Sequence, residues 1–325
     1  MYKNTDAIIR PELQVTVQEA LEADKFFIAD KIFPLWPSKT ETGTYRKIKK
    51  GTGGVLRMTG SDQTLRAPRT PYKEVDRTYE KASYTCRDRG LTEVVDDSTQ
   101  ADLSRFFDAE ETATRLTLAD ILRAQEKRVA DKVMDESVWG KVDAAVAYTE
   151  ALIATIDIPQ DIEEAIARVQ KRGELVNTIV LSRNIWKRIR RSTLLRKYIY
   201  GDNAGGKIIT KDVFLSTFQD SAPITNLHIA EAVYSTARDN QEVTDAKLAY
   251  IWGDSYIWLG NVAEGDPNMG GAGRVIYWEE DAEFNYVVET YRDEPRRSDV
   301  VRVRQNNEEH VVNECAGTLI KTNYA

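Results

Sequence analysis

Between Ala109 and Met134 the chain runs for 26 residues without a glycine or a proline. That is enough for roughly 39 Å of helix at about 1.5 Å per residue. Asp108 and Glu111 stand three apart at its start, the carboxylate form of a capping box, in which the first side chain accepts from free helix N–H groups. Leu118, Leu122, Val129 and Val133 recur at helical spacing, with Leu116, Ala119 and Ala130 nearby. A helix of this length exceeds what a compact domain needs. It suits a beam laid across a flat subunit, and any fold for this chain has to house it.

Composition then limits the function classes. The 325 residues are 42% hydrophobic and include 15 Tyr and 6 Trp, which excludes global disorder and allows one large core or two modest ones. The 45 basic and 52 acidic residues leave a net charge of −7, which argues against a dedicated nucleic-acid binder. Cys86 and Cys315 form no CxxC pair, so no disulfide framework or structural zinc site is expected. With only His228 and His310, histidine-based metal or triad chemistry has almost nothing to draw on. No cofactor, metal site or enzymatic activity is expected. The opening MYKNTDAIIRPEL lacks the parts of a signal peptide. The weakly polar stretch from Val142 is interrupted by Asp143, Glu150 and Asp157, so no membrane span is expected.

Residues 1–38 hold one short helix pattern near Val15 to Phe27, among Pro11, Pro34 and Pro37. Proline favours extended chain between short elements. Phe26, Phe27, Phe33 and Trp36 head a dense apolar cluster that suits either the protein's own core or a neighbouring subunit. Residues 42–81 read as a long two-stranded ribbon. Ten basic residues (Arg46, Lys47, Lys49, Lys50, Arg57, Arg66, Arg69, Lys73, Arg77 and Lys81) face four acidic ones, a local charge of +6. Strand side chains alternate, and neither face of this ribbon is apolar enough to bury. Such a ribbon is marginal alone in water, so it calls for a partner surface, a free solvated hairpin being the alternative.

From Pro159 the texture becomes a compact α+β domain. An amphipathic helix is expected from Asp161 to Arg172, stopped by Gly173. A buried strand is expected from Asn177, and one strongly basic helix in RNIWKRIRRSTLLRKYI. IITKDVFLSTF, LHIAEAVYST and KLAYIWGDSYIWLGN read as strands, GDPNMGGAG from Gly265 as a mobile loop, and the remainder as long strands with mixed faces. GDNAGGKI, Gly201 to Ile208, nearly matches a phosphate-binding loop, but Ile208 removes the magnesium hydroxyl, and a helix before with a strand after is the reversed context. GDSY at Gly253 reads as a turn, because neither histidine has a partner to orient it as a base. Adjacent carboxylates such as Glu308/Glu309 face opposite sides of a strand and read as solvated charges. The basic helix, with seven Lys/Arg from Arg183 to Lys197, reads as a subunit interface or solvated face rather than a nucleic-acid site.

The order of these parts resembles the tailed-bacteriophage major capsid proteins of the Hong Kong 97 type. The resemblance rests on NTDAIIRPEL…FIADKIFP, GTYRKIKK…PYKEVDRTYEKASY, AEETATRLTLADILRAQEKRVADKVM and NTIVLSRNIWKRIRRSTLLRKYI, and covers nearly the whole chain. It implies an α+β fold with an N-terminal arm at 1–38 and an extended loop at 39–82. It further implies a peripheral domain at 83–155 with its spine helix at 109–134, an axial domain at 156–270, and returning strands at 271–325 that complete both domains. The extended-loop cations Arg46, Lys47, Lys49, Lys50, Arg57, Arg66, Arg69, Lys73 and Arg77 would lie on an adjacent subunit, and the arm residues Phe26, Phe27, Phe33 and Trp36 would clasp neighbours. Gly201, Gly205, Gly206, Lys207, Gly270 and Gly271 would serve the axial loops at ring centres.

The implied function is self-assembly into hexamers and pentamers of an icosahedral shell around double-stranded DNA, within a virion assembled in a bacterial cytoplasm. A separate scaffolding protein, a portal and a decoration protein are the implied partners, the first because Met1 stands directly at the arm. Some members form Lys–Asn crosslinks and Lys47, Lys49 and Lys50 sit in the corresponding loop, but one sequence identifies neither the acceptor nor a catalytic acid, so no crosslink is assigned. An encapsulin-like nanocompartment with a protein cargo shares the fold and is the competing reading. A soluble enzyme is the third, and lacks a nucleophile, base and orienter.

Overall fold

A computed structural model of the chain describes residues 8–9, 13, 15, 17, 26–48, 64–66, 68–72, 79–98, 108–202, 205–237, 241–242, 244–281 and 285–324. The strands are β1 (Ile8–Ile9), β2 (Leu35–Ser38), β3 (Thr42–Ile48), β4 (Tyr79–Thr85), β5 (Arg87–Asp96), β6 (Lys141–Asp143), β7 (Thr178–Ser182), β8 (Asn226–Ala230), β9 (Val233–Ser235), β10 (Leu248–Tyr250), β11 (Tyr256–Gly260), β12 (Gly273–Trp278), β13 (Val287–Asp293), β14 (Ser298–Val311) and β15 (Gly317–Lys321). The helices are α1 (Ala29–Ile32), α2 (Ala109–Val133), α3 (Glu136–Trp139), α4 (Ile158–Gln170), α5 (Arg183–Ile189), α6 (Thr193–Tyr200) and α7 (Lys211–Phe218).

Two sheets and the long helix α2 set the architecture. The first sheet is built around the 14-residue strand β14. β5 pairs antiparallel along one edge, from Ser298↔Asp96 to Asn307↔Arg87. β13 and β12 share the other edge, beside Ser298–Arg304 and Asn307–Val311. β1 extends the sheet beyond β13, and β2 runs parallel to β12. The second sheet has the order β6-β15-β11-β7-β8, with antiparallel pairs at its centre and a parallel pair at each end. A two-stranded β3–β4 hairpin and a β9–β10 pair complete the strands.

α2 forms where its periodicity placed it. Asp108 Oδ1 accepts from the backbone N–H groups of Glu110 and Glu111 at 3.0 and 3.3 Å. Ala113, Leu118, Ile121 and Leu122 share a core with Val95, Val288, Val301 and Val303 of the first sheet. Val129, Ala130 and Val133, further along, join a second core with Trp139, Val180, Trp252 and Trp258. One helix therefore packs on both sheets. A third core, with Ile162, Ile166 and Val169 of α4 and Phe214 and Phe218 of α7, fills the second domain.

Several local expectations change. The single basic helix is two, α5 and α6, because Ser192 breaks it and caps α6 through the Leu195 N–H. IITKDVFLSTF is a helix rather than a strand. Thr210 accepts from the Val213 N–H, and Phe214 and Phe218, one turn apart, both reach the core. LHIAEAVYST divides into β8 and β9 in different sheets. A helix therefore both precedes and follows GDNAGGK, so the strand expected after it is corrected, while the phosphate-loop context remains absent. Val15 and Val17 are helical, but Phe26 and Phe27 are not, and most of the Val15–Phe27 pattern lies outside the described residues.

Candidate inter-subunit surfaces

The β3–β4 hairpin is anchored at its base, and Arg46, Glu80 and Lys81 above the anchor are exposed. Tyr45 and Tyr84 are buried with Cys86, Ile276 and Val312. Tyr45 Oη lies 2.8 Å from His310 Nε2, with the two rings edge to face. Tyr84 Oη lies 2.7 Å from Ser38 Oγ, and its ring meets Trp36 edge to face. Glycine is required at Gly43, where a Cβ would stand 2.2 Å from the Tyr84 hydroxyl. Glu308 accepts from the Thr85 N–H, tying the hairpin's exit to β14. Burial pushes the Tyr45 phenol up to about 12, with the Glu308 charge adding to it, and the Cys86 thiol up to about 11 for the same two reasons, so neither ionises near neutrality.

Beyond the anchor, Arg46 stands directly opposite Lys81 and both are exposed. Like charges across a strand pair are destabilising, so the hairpin pays for this face unless an anionic surface covers it. Arg66 donates to the Thr70 carbonyl at 3.1 Å and lies 4.8 Å above the Tyr72 ring. Tyr72 itself is 75% exposed and Leu65 73%, so this stretch offers apolar as well as cationic surface. Arg69 is exposed, with a positive φ of 69°. Lys47 is described in its backbone only, and Lys49, Lys50, Arg57, Lys73 and Arg77 lie outside the described residues.

The arm residues divide. Phe26 is 61% exposed, whereas Phe27 and Trp36 are half-buried. Phe33 is completely buried against the chain's own Gly273, where a Cβ would come within 2.4 Å of its ring. β1 and β2 are likewise sewn into the chain's own first sheet. In the described residues the arm packs largely on its own chain, and Phe26 is exposed.

The glycine loops also divide. Gly201 ends α6 at φ +70°, its N–H bonded to the Lys197 carbonyl, and nothing lies within 4 Å of a Cβ at Gly201, Gly205 or Gly206. Lys207 Nζ sits 4.8 Å over the Tyr200 ring. The described glycines of this stretch are exposed. GDPNMGGAG behaves differently: it is wrapped around the fully buried Arg274, which donates to the carbonyls of Gly265, Gly270 and Gly273 at 2.9, 2.9 and 2.7 Å. Gly270 and Gly271 take positive φ to make that wrap. The loop crosses from β11 to β12, from one sheet to the other, and its Asp266 and Asn268 line a cleft of about 510 Å³ with Arg46 and Lys81 of the hairpin. The expected mobile loop is therefore a pinned connector beside the hairpin.

Two buried polar residues escaped the sequence reading. Glu126 of α2 accepts from the N–H groups of Ile28 and Ala29, at 3.0 and 2.7 Å, and from the Trp252 indole. It thus joins the arm, the spine and the segment leading to β11. Its signal was a carboxylate at i+4 from Leu122, on the apolar stripe of the helix. Glu309, read as solvated, is buried between Arg128 of α2, at 2.8 Å, and Arg89 of β5. The opposite-faces expectation for Glu308 and Glu309 holds, since Glu308 turns to the hairpin instead.

Among the described residues, no group of three or more His, Cys, Asp or Glu side chains could hold a metal ion, and no helix is long and apolar enough to cross a membrane. Asp254 of GDSY is held by Ser182 and Asn184, at 2.9 Å from the latter, as part of the α5 cap.

The arrangement of an anchored hairpin, a spine helix and a second domain of mixed sheet is the Hong Kong 97-type capsid-shell fold. The chain is similar to a phage-related protein from Bordetella bronchiseptica, at a TM-score of 0.71 and 19% identity over 98% of this chain and 99% of that one. It is similar also to the structure of Microbacterium phage Oxtober96, at 0.57 and 12% over 99% and 95%. The holo-SrpI encapsulin complex from Synechococcus elongatus matches at 0.52 and 12% over 99% and 91%. The sequence matches no family model and no curated protein.

Proposed function

We propose that the chain is the major capsid protein of a phage-type head, forming hexamers and pentamers of an icosahedral shell around double-stranded DNA. The observation that carries this reading is the end-to-end match, over 98% of this chain and 99% of its partner, to the phage-related protein. The exposed Arg46/Lys81 face and the outward Phe26 support it, since a shell subunit directs such surface at its neighbours. The role is structural rather than enzymatic. A scaffolding protein, a portal and a decoration protein are the further partners proposed, and the virion is the proposed location, with assembly in the host cytoplasm.

An encapsulin-like compartment is the second reading, favoured by the match over 99% of the chain to the encapsulin complex. Negative-stain microscopy of the chain, expressed alone and then with its gene neighbours, tests both. Closed shells or flat six-membered rings are expected, and nuclease-resistant DNA inside them separates a head from a cargo compartment. Compact monomers or dimers under both conditions would sink the shell reading.

A further inference from the structure

A cationic cleft of about 770 Å³ lies in the second domain, among α5, α6, the glycine loop and the start of α7. Residues 183–211 carry nine Lys/Arg against one Asp, a local +8 within a chain of net −7. Arg190, Arg196, Lys187, Lys207 and Lys211 all line this one concavity, brought there from three separate segments. The single carboxylate in the lining, Glu231, is already engaged by Arg183 at 2.7 Å. Arg191 also lines the cleft, but it is already paired with Glu150, which lies outside the lining.

Among the described residues, the remaining cations have no counter-charge within ion-pair distance. The side chains of Lys187, Arg190 and Lys211 make no hydrogen bond or ion pair to any described residue, and all three are exposed. Among the described residues, Arg196 reaches backbone carbonyls alone, those of Ser192 and Arg191, at 3.3 and 2.6 Å, and Lys207 has the Tyr200 ring alone. Trp186, Ile229 and Tyr250 supply the apolar part of the wall. Clustering five cations at this density raises the energy of the empty site, and an anion of matching charge lowers it. Guanidinium forks and flexible ammonium groups together fit the tetrahedral oxygens of phosphate, and the volume falls within the range of about 300–1,000 Å³ typical of ligand pockets.

We propose that this cleft binds linked phosphate groups, as presented by a free polyphosphate or by a nucleic-acid backbone. The site uses Lys207 and Gly206 of the GDNAGGK stretch, yet has neither the strand-to-helix geometry nor the magnesium hydroxyl of a phosphate-binding loop. Binding here is electrostatic and needs no metal.

The test is calorimetric titration of the full, unassembled chain with sodium tripolyphosphate and, separately, with a short single-stranded DNA oligonucleotide. Because it is read on the unassembled chain, its failure is distinct from failure of the shell reading. Tripolyphosphate is expected to bind at one site. The triple variant Lys187→Ala/Arg190→Ala/Lys211→Ala is expected to weaken it by roughly a thousandfold, since each lost charge-assisted contact is worth about tenfold. Lys197→Ala, on the same basic stretch but outside the lining, is the folded control and should bind as the parent does. Oligonucleotide binding that competes with tripolyphosphate and weakens with salt, by about 0.7 in the log–log slope per neutralised phosphate, would assign the site to a nucleic-acid backbone. Tripolyphosphate binding alone would assign it to a free polyphosphate. Absence of binding by both probes, or equal binding by the triple variant, would overturn the proposal, and failed assembly of that variant would then assign the cleft to an acidic surface of a neighbouring subunit.

Discussion

The carboxyl group of Glu126 sits where three segments of the chain meet. Burial pushes it up to about 7 from an ordinary 4.5, against the pull of the Trp252, Ala29 and Ile28 donors, and nearby Asp30 is pushed up to about 6 for the same reason. A raised carboxyl means that the folded chain holds its proton where the unfolded chain has lost it. Stability is therefore fully present below about pH 4.5 and falls as pH rises to about 7, by roughly 3 kcal/mol for a difference of that size. Urea unfolding should give a lower midpoint at pH 8 than at pH 5, and Glu126→Gln should flatten the slope; an unchanged slope in that variant would remove Glu126 as its source. His228 works in the opposite sense. Burial first, then Lys31 and Lys211, lowers its imidazole from 6.5 to about 4. The unfolded chain takes up a proton between those values and the folded chain does not, so stability is lost as pH falls through that window. His228→Gln should raise stability at pH 5 relative to the parent and leave it unmoved at pH 8.

At the scale of elements, the β3–β4 hairpin separates its own stability from its use. Lys81→Glu would place a carboxylate opposite Arg46, a cross-strand pair worth about 0.2–1 kcal/mol to the hairpin. If the cationic face docks on a neighbour, the same change should weaken shell assembly while the subunit gains stability. The stronger variant Arg46→Glu/Lys47→Glu/Lys49→Glu should block assembly and leave a folded subunit. Normal shells from both proteins, seen by microscopy, would falsify the electrostatic docking. α2 and the hairpin were legible in the sequence because each follows a local rule: an uninterrupted periodic run behind a cap, and alternation with turn residues. The stretch after Gly206 was misread because β-branched Ile208, Ile209 and Thr210 suggested a strand. What decided it was the pairing of Phe214 and Phe218 against a core assembled from distant residues. The break at Ser192 carried a local signal, a serine three residues before Leu195, which the continuous basic character masked.

At the scale of the whole molecule, one helix packs on two sheets, and the connector from β11 to β12 crosses between them around a buried arginine. Under the proposed shell function, assembly would act on this unit through the exposed Arg46/Lys81 face of the hairpin and through Phe26. The order of arm, ribbon, long helix and α+β domain was readable from residues alone, because periodicity, capping and charge runs are properties of neighbours in the chain. Which apolar residues are spent inside was not. Phe26 and Phe33 have the same side chain and lie seven residues apart, yet one is exposed and the other completely buried, since only Phe33 meets the gap left by Gly273. Glu309 likewise reads as a solvated charge until the fold brings it Arg128 and Arg89 from far along the chain, and Glu126 gains its partners in the same way. Burial and ion pairing depend on contacts between residues remote in sequence, and these exist only once the chain has folded.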